Sequence, residues 1–291
     1  MKILLIIFLI LVVLYLLAIM PRMIGGPSAE KLLAQNLYAH RGLHDNNSEA
    51  PENSMAAFKK AVDAGYGIEL DVQLTRDGVP VIFHDFTLAR VARYDGQLPE
   101  NAVKNEDGSF GVAGKVIDYT YEELQQFHLL NSGEKIPRFE DFLKLVDGKV
   151  PLIIELKIEL FDVSVCPVVD NMLREYKGVY CIESFNPLGL WWYRRHHKDV
   201  FRGQLSDEFF RQPETIWHTP LYYLLAFLVF NFLTKPDFIA YNHTYAGNIS
   251  RRLCHGLYKN TAAAWTIKSQ AELDERRSGF DIFIFEGFIP S

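Results

Sequence analysis

The sequence predicts a (β/α)8 barrel preceded by one transmembrane helix. Three observations set that class. Eight short apolar or β-branched runs alternate with amphipathic stretches, ionisable residues gather at the carboxyl ends of the early runs, and an unbroken apolar run stands ahead of them all. Of the 291 residues, all but the first two dozen are available to the globule, close to the roughly 250 that a single barrel uses. Hydrophobic residues make up 49% of the chain and aromatics 13%, which supplies a large core.

The apolar run, ILLIIFLILVVLYLLAIM at 3–20, holds 18 residues, near the roughly 20 a helix needs to cross hydrocarbon. A secretory signal has an apolar stretch of about 7 to 15 residues and a small-x-small exit, whereas this run ends in Met20-Pro21-Arg22. Residues 1–24 are therefore expected to be an uncleaved single-pass anchor in the cell membrane. Lys2 on one side is balanced by Arg22 and Lys31 on the other, so the positive-inside rule leaves the side of the barrel open.

Gly25, Gly26, Pro27 and Ser28 make a breaker-rich linker, and with a short leading helix they fill 25–36. The barrel then occupies 37–291, with strands expected at 37–41, 67–72, 151–157, 178–184, 200–205, 237–242, 262–266 and 281–286. A ninth run, Pro80 to His84, follows the turn Thr75-Arg76-Asp77-Gly78 too closely for a parallel crossover, so it should fold back as a hairpin and bring His84 roughly opposite Asp71. Residues 86–118 are polar and glycine-containing and read as a surface insertion, with amphipathic helices at 121–130 and 139–146 after it.

The net charge of −6 provides no basic stripe for a polyanion, which excludes nucleic acid as a partner. Cys166, Cys181 and Cys254 have neither zinc-site spacing nor the density of a disulfide scaffold.

Chemistry concentrates at strand ends, in His40-Arg41-Gly42, Glu69-Leu70-Asp71, His84-Asp85 and Glu155-Leu156-Lys157. Residues two apart on a strand share a face, so Glu69 and Asp71, and likewise Glu155 and Lys157, can both point into the barrel. Three carboxylates in so small a space repel one another unless a divalent cation joins them, and oxygen donors suit Ca2+ or Mg2+ better than zinc. Glu69, Asp71 and Glu155 are thus the candidate metal ligands. Arg41 can fork onto phosphate oxygens and Lys157 can add a point charge, while His40 and His84 are candidate proton-transfer groups. Taken singly, each has a structural explanation; burying the whole set at the ends of apolar strands would be costly without a function.

These residues resemble the glycerophosphodiester phosphodiesterase family. The resemblance runs through His40-Arg41-Gly42, Pro51-Glu52-Asn53-Ser54, Gly67-Ile68-Glu69-Leu70-Asp71-Val72, Thr75-Arg76-Asp77-Gly78 and Val81-Ile82-Phe83-His84-Asp85, with weaker echoes at Ile154-Glu155-Leu156-Lys157, Ser184-Phe185-Asn186-Pro187 and Trp265-Thr266. It implies a barrel of the phosphodiesterase kind and a Ca2+ or Mg2+ cofactor. The reaction it implies releases an alcohol and glycerol 3-phosphate or a related phosphomonoester. By the same resemblance His40 and His84 are the catalytic pair, Glu69, Asp71 and Glu155 hold the metal, Arg41 and Lys157 contact phosphate, and Glu52 is a supporting acidic position. Trp265 and Phe185 are candidates to line the pocket for the alcohol portion, and Tyr241-Asn242-His243 is poised after the sixth strand.

Lys268 stands where the family commonly has Asn, and the closing Glu286-Gly287-Phe288-Ile289-Pro290 departs from its usual Thr-Asp-x-Pro ending; both bear on the alcohol portion. The expected substrate is a glycerophosphodiester or a lipid-bearing relative such as a lysophospholipid. Two other readings stand beside hydrolysis, namely a phospholipase that forms a cyclic phosphate and a membrane-tethered module that binds without turnover. The stretch LYYLLAFLVFNFL at 221–233, within a segment 217–234 flanked by Trp217, is too uniformly apolar for an ordinary barrel helix and too short to span, so it is expected to face the membrane near the catalytic end.

Overall fold

The computed structural model describes residues 1–95, 97–211 and 220–291. Trp217, with the start of segment 217–234, lies outside the described residues. In chain order the strands are β1 (Leu37–Ala39), β2 (Gly67–Leu74), β3 (Pro80–Ile82), β4 (Ala92–Tyr94), β5 (Val103–Lys104), β6 (Phe110–Gly111), β7 (Phe127–Leu129), β8 (Leu152–Leu156), β9 (Tyr180–Ser184), β10 (Arg202–Ser206), β11 (Phe238–Asn242), β12 (Thr261–Ile267) and β13 (Ile282–Phe285). Among the described residues, β1, β2 and β8 to β13 pair in parallel in that order, and β13 returns to β1 to close the barrel. All eight expected runs are barrel strands.

The helices are α1 (Lys2–Ile19), α2 (Glu30–Gln35), α3 (Met55–Ala64), α4 (Tyr121–Leu124), α5 (Phe139–Val146), α6 (Val165–Leu173), α7 (Pro187–His196), α8 (Pro220–Ala226), α9 (Asn231–Thr234), α10 (Ile249–Gly256) and α11 (Gln270–Arg276). Strand alternation divides the apolar residues between two layers. Tyr38, Ile153, Cys181, Leu205, Ala240, Ala263 and Ile284 fill the barrel interior. Their neighbours Ala39, Ile154, Ile182, Ile239, Ala264 and Phe285 face outward into the larger layer shared with the helices. Helix α3 shows how a helix is fastened there: the Ser54 hydroxyl accepts the Ala57 N–H at 3.1 Å, and buried Phe58 meets Phe142 of α5 edge-on at 4.6 Å.

The hairpin is present, with β2 and β3 antiparallel. The Phe83 N–H donates to the Asp71 carbonyl at 3.0 Å, so Asp71 faces Phe83 and His84 follows one residue later than a direct opposition requires. The stretch 121–130 is not one helix. It is the single turn of α4, capped by Thr120, followed by β7, which pairs with β4. The pairing buries Phe127 and Leu129 with Val91, Val112 and Val116, so residues after the hairpin build a small core against Val81 and Phe83 of the hairpin.

Helix α1 has a mean hydropathy of 3.2 and is long and apolar enough to cross a membrane. Its last turn packs on the barrel: Ile19 is fully buried, the Asn231 amide donates to the Ile19 carbonyl at 2.8 Å, and Lys235 Nζ donates to the Met20 carbonyl at 2.8 Å.

Candidate active site

A cavity of about 400 Å³ opens at the carboxyl ends of the strands, lined by His40, Arg41, Glu52, Glu69, His84, Glu155 and Trp265. Asp71 and Lys157 lie against it, with Lys157 Nζ 2.9 Å from Glu155 Oε1 and 3.6 Å from Asp71 Oδ1. The candidate metal, phosphate and proton-transfer residues and Trp265 are thus drawn to one end of the barrel. Tyr241 is the exception among the broader candidates, since it points outward, fully buried, and donates its hydroxyl to the Ala226 carbonyl.

The floor is acidic. Glu69, Asp71 and Glu155 are buried and each offers a carboxylate oxygen within 4.8 Å of the other two. Their placement follows from strand register, because Asp71 of β2 sits beside Glu155 of β8 and Glu69 is two residues earlier on the same face. Burial, together with Asp71, Glu183 and Glu155, pushes the Glu69 carboxyl well above its ordinary range. Burial also raises Glu155, against the pull of Lys157. Burial works against the Asp71 charge too, but His84, Lys157, Arg41 and the Asn53 amide hold its carboxyl well below the usual range. Asp71 Oδ1 has no hydrogen-bond partner among the described residues. Clustered oxygen donors, one of them unsatisfied, fit a hard divalent cation.

The cationic side of the site is braced by acids. Arg41 donates to Glu52 Oε1 at 2.7 Å, and Arg90 clamps the same carboxylate at 2.6 and 2.8 Å. The backbone that presents Arg41 is tight: the Asn53 N–H donates to the Arg41 carbonyl at 2.9 Å, and Gly42 has φ +82°. A Cβ at Gly42 would stand 2.9 Å from the Ala57 backbone, so no larger residue fits the turn.

Both histidines are held through Nδ1. His40 Nδ1 is 2.5 Å from Glu286 Oε2, and His84 Nδ1 is 2.6 Å from Asp85 Oδ1. Burial and the neighbouring Arg41 charge push the His40 pKa down to about 4, against the pull of Glu286. Lys268 reaches the other oxygen of Glu286 at 3.0 Å, so these two departures from the family pattern are joined to each other and to His40.

Four residues of the site were not singled out from the sequence for these contacts: Glu183, Arg90, Asn53 and Glu286. Glu183 is the least expected. It pairs in register with Glu155, is buried, and its Oε2 has no partner among the described residues. Its parity on β9, two residues from Cys181 and from Phe185, was the available signal.

The glycerophosphoryl diester phosphodiesterase family model matches residues 40–275, which spans the barrel from His40 to α11. The chain belongs to the glycerophosphoryl diester phosphodiesterase family. A glycerophosphodiester phosphodiesterase of Bacillus altitudinis is 35% identical over 150 residues, 49% of this chain and 48% of that one. The human glycerophosphodiester phosphodiesterase 1 is 29% identical over 179 residues, 56% of this chain and 46% of that one. The chain thus spans about half the length of the curated relatives it matches. Among solved structures, an Oleispira antarctica phosphodiesterase in complex with the product sn-glycerol-3-phosphate superposes with a TM-score of 0.62 at 22% identity, covering 86% of this chain and 92% of that one. A Parabacteroides distasonis glycerophosphodiester phosphodiesterase gives 0.61 at 22% identity, with 86% and 92% covered. At these identities the likeness is one of fold, and it is the barrel described above that is shared.

Proposed function

We propose that this member of the glycerophosphoryl diester phosphodiesterase family hydrolyses a glycerophosphodiester, small or lysolipid-like, to an alcohol and glycerol 3-phosphate or a related phosphomonoester. The observation that carries this reading is the buried triad of Glu69, Asp71 and Glu155, within 4.8 Å of one another, beneath a cavity lined by His40, His84 and Arg41. The triad would hold Ca2+ or Mg2+, which supplies neutralisation of phosphoryl charge when bound.

The remaining roles belong to the chain's own side chains. Arg41, fixed by Glu52, offers a forked donor to phosphate oxygens, and Lys157, directly after β8, adds a charge beside Glu155. With Nδ1 of each histidine engaged by a carboxylate, Nε2 is the atom left to exchange a proton with the reacting oxygens. His40 and His84 share the work of base and acid. Trp265, edge-on to Phe185 at 5.5 Å, walls the side where the alcohol portion would lie.

The test is turnover of glycerophosphocholine by the purified chain with Ca2+ or Mg2+, followed by phosphorus NMR. Glycerol 3-phosphate as product supports the reading. A cyclic phosphate would move the chain to the phospholipase reading, and no product with either metal would leave a binding module.

A further inference from the structure

We propose that the catalytic end of the barrel is a bilayer-contacting surface, fixed by the direction in which α1 docks, and that an apolar groove beside the site takes the single hydrocarbon chain of a phosphodiester presented there. The second half rests on the hydrolytic reading above; the first does not.

The docking contacts fix the polarity of α1. Arg22 pairs with Asp237 at 3.2 Å and donates its N–H to the Pro236 carbonyl at 3.0 Å, at the amino end of β11. The Tyr15 hydroxyl meets Ser250 Oγ at 2.6 Å, in the first turn of α10, which begins at the carboxyl end of the same strand. Helix α1 therefore runs antiparallel to β11, and its free portion leaves past the catalytic end. Spanning hydrocarbon takes about 30 Å of helix, whereas the 18 residues of α1 give only about 27 Å. Its last turns, from Tyr15 to Ile19, already pack against barrel helices. No length is left over as a spacer. If α1 spans, the hydrocarbon boundary has to lie at the level of the catalytic end.

That end is dressed accordingly. Leu160 and Phe161, in the loop after β8, are 77% and 84% exposed, and Leu221, Tyr223 and Leu224 of α8 and Ile249 of α10 are exposed as well. Large apolar side chains left in water at one end of a domain mark an interaction surface. Between them lies a groove of about 470 Å³ lined by Leu160, Phe161, Phe209, Leu221, Leu225 and Phe230. Glu155 and Phe185 line both this groove and the catalytic cavity, so one molecule can lay a phosphodiester in the first and hydrocarbon in the second. Phe185 forms the partition, edge-on to Trp265 on one side and to Phe209 on the other.

Two measurements on the full chain reconstituted in phosphatidylcholine vesicles test this. The native cysteines are buried, so Phe161→Cys and Lys149→Cys each accept one environment-sensitive fluorophore, the first at the catalytic end and the second ahead of β8 at the other. Spin-labelled lipid should quench the label at 161 and leave that at 149 bright. Equal quenching at both, or none at 161, overturns the bilayer-facing surface whether or not the chain is an enzyme. The groove is read by comparing glycerophosphocholine with its monopalmitoyl ester. The wild type should favour the ester at least tenfold in kcat/KM, and Leu225→Trp, which fills the groove, should abolish that preference while glycerophosphocholine turnover persists. Turnover of glycerophosphocholine with no advantage for the ester removes the groove and leaves the hydrolytic reading intact; turnover of neither removes both.

Discussion

Glu286 Oε2 lies 2.5 Å from His40 Nδ1, and Lys268 holds the other oxygen of that carboxylate at 3.0 Å. The pair fixes which imidazole nitrogen carries the proton and how the ring is aimed, the service a carboxylate gives any proton-transferring histidine. Glu286→Gln should therefore lower kcat by about 10 to 100-fold with KM little changed. Since Glu286 also pulls the His40 pKa upward, its loss should lower that pKa further, visible in the histidine NMR titration. An unchanged kcat and an unmoved titration would reduce Glu286 to a packing residue.

The acidic floor makes a prediction about stability as well as rate. Glu69→Ala, Asp71→Ala and Glu155→Ala should each weaken Ca2+ or Mg2+ binding in calorimetry and reduce turnover together, and excess chelator should silence the wild type. Metal binding to the folded state alone should raise the wild-type Tm. Glu69→Gln removes a carboxylate whose burial beside Asp71, Glu183 and Glu155 is unfavourable. In chelator it should melt a few degrees above the wild type, a gain the wild type overtakes only when the ion is added. A Glu69→Gln variant that melts lower in chelator would mean that the cluster is not strained by its own charge.

The barrel was legible because parallel strands are buried on both faces and so appear as short apolar runs, and because the ionisable residues near His40, Glu69 and Glu155 interrupt those runs at their ends. What escaped depended on distant partners. Residues 121–130 have helical periodicity, but Phe127 and Leu129 are claimed by β4, thirty-odd residues earlier, and tertiary pairing overrode local preference. Glu183 was hidden in an apolar run as a lone acid, and only its register beside Glu155 gives it meaning. Lys268 and Glu286 were visible as departures from the family pattern, yet nothing local says that they meet at His40.

The acid limb of stability should report Asp85. Burial opposes its charge, but hydrogen bonds from His84 and Arg90 hold its carboxyl at about 2, below the ordinary 3.8. A depressed carboxyl contributes stability that is fully present above its unfolded value and is lost as pH falls through the folded one. Asp85→Asn should cost about 1 to 2 kcal/mol at neutral pH, and the difference from wild type should close between pH 4 and pH 2. Urea midpoints measured across that window would show it, and a gap independent of pH would assign the loss to packing instead.

The two histidines can be told apart by leaving group. His40→Ala and His84→Ala should each lose about 100 to 10,000-fold in rate while the fold survives, the usual contribution of a positioned proton transfer. A nitrophenyl phosphodiester, whose nitrophenolate departs without needing a proton, should rescue the variant lacking the acid and leave the other slow. Equal behaviour of both variants on both substrates would end the division of roles.

The docked end of α1 should be needed for stability and its free end should not. Ile19 is fully buried among helix-layer residues, and full burial of such a side chain is worth about 1.5 to 3 kcal/mol. Hydrogen bonds from Asn231, Lys235 and Tyr258 to the carbonyls of Ile19, Met20 and Leu16, and the Arg22–Asp237 pair, add to it. Asn231 is itself fully buried, and its amide also reaches Cys254 Sγ at 3.7 Å. Removing residues 1–14 leaves every one of these contacts, so the shortened chain should melt as the whole chain does in detergent. Removing residues 1–24 deletes them, a loss of about 3 kcal/mol or more, which in a domain of this size lowers Tm by roughly 6 to 12 °C. Thermal unfolding of the two shortened chains by circular dichroism makes the comparison without any membrane. Equal melting temperatures would show that Tyr15 to Arg22 do not rest on the barrel, and the direction assigned to α1 would fall with them.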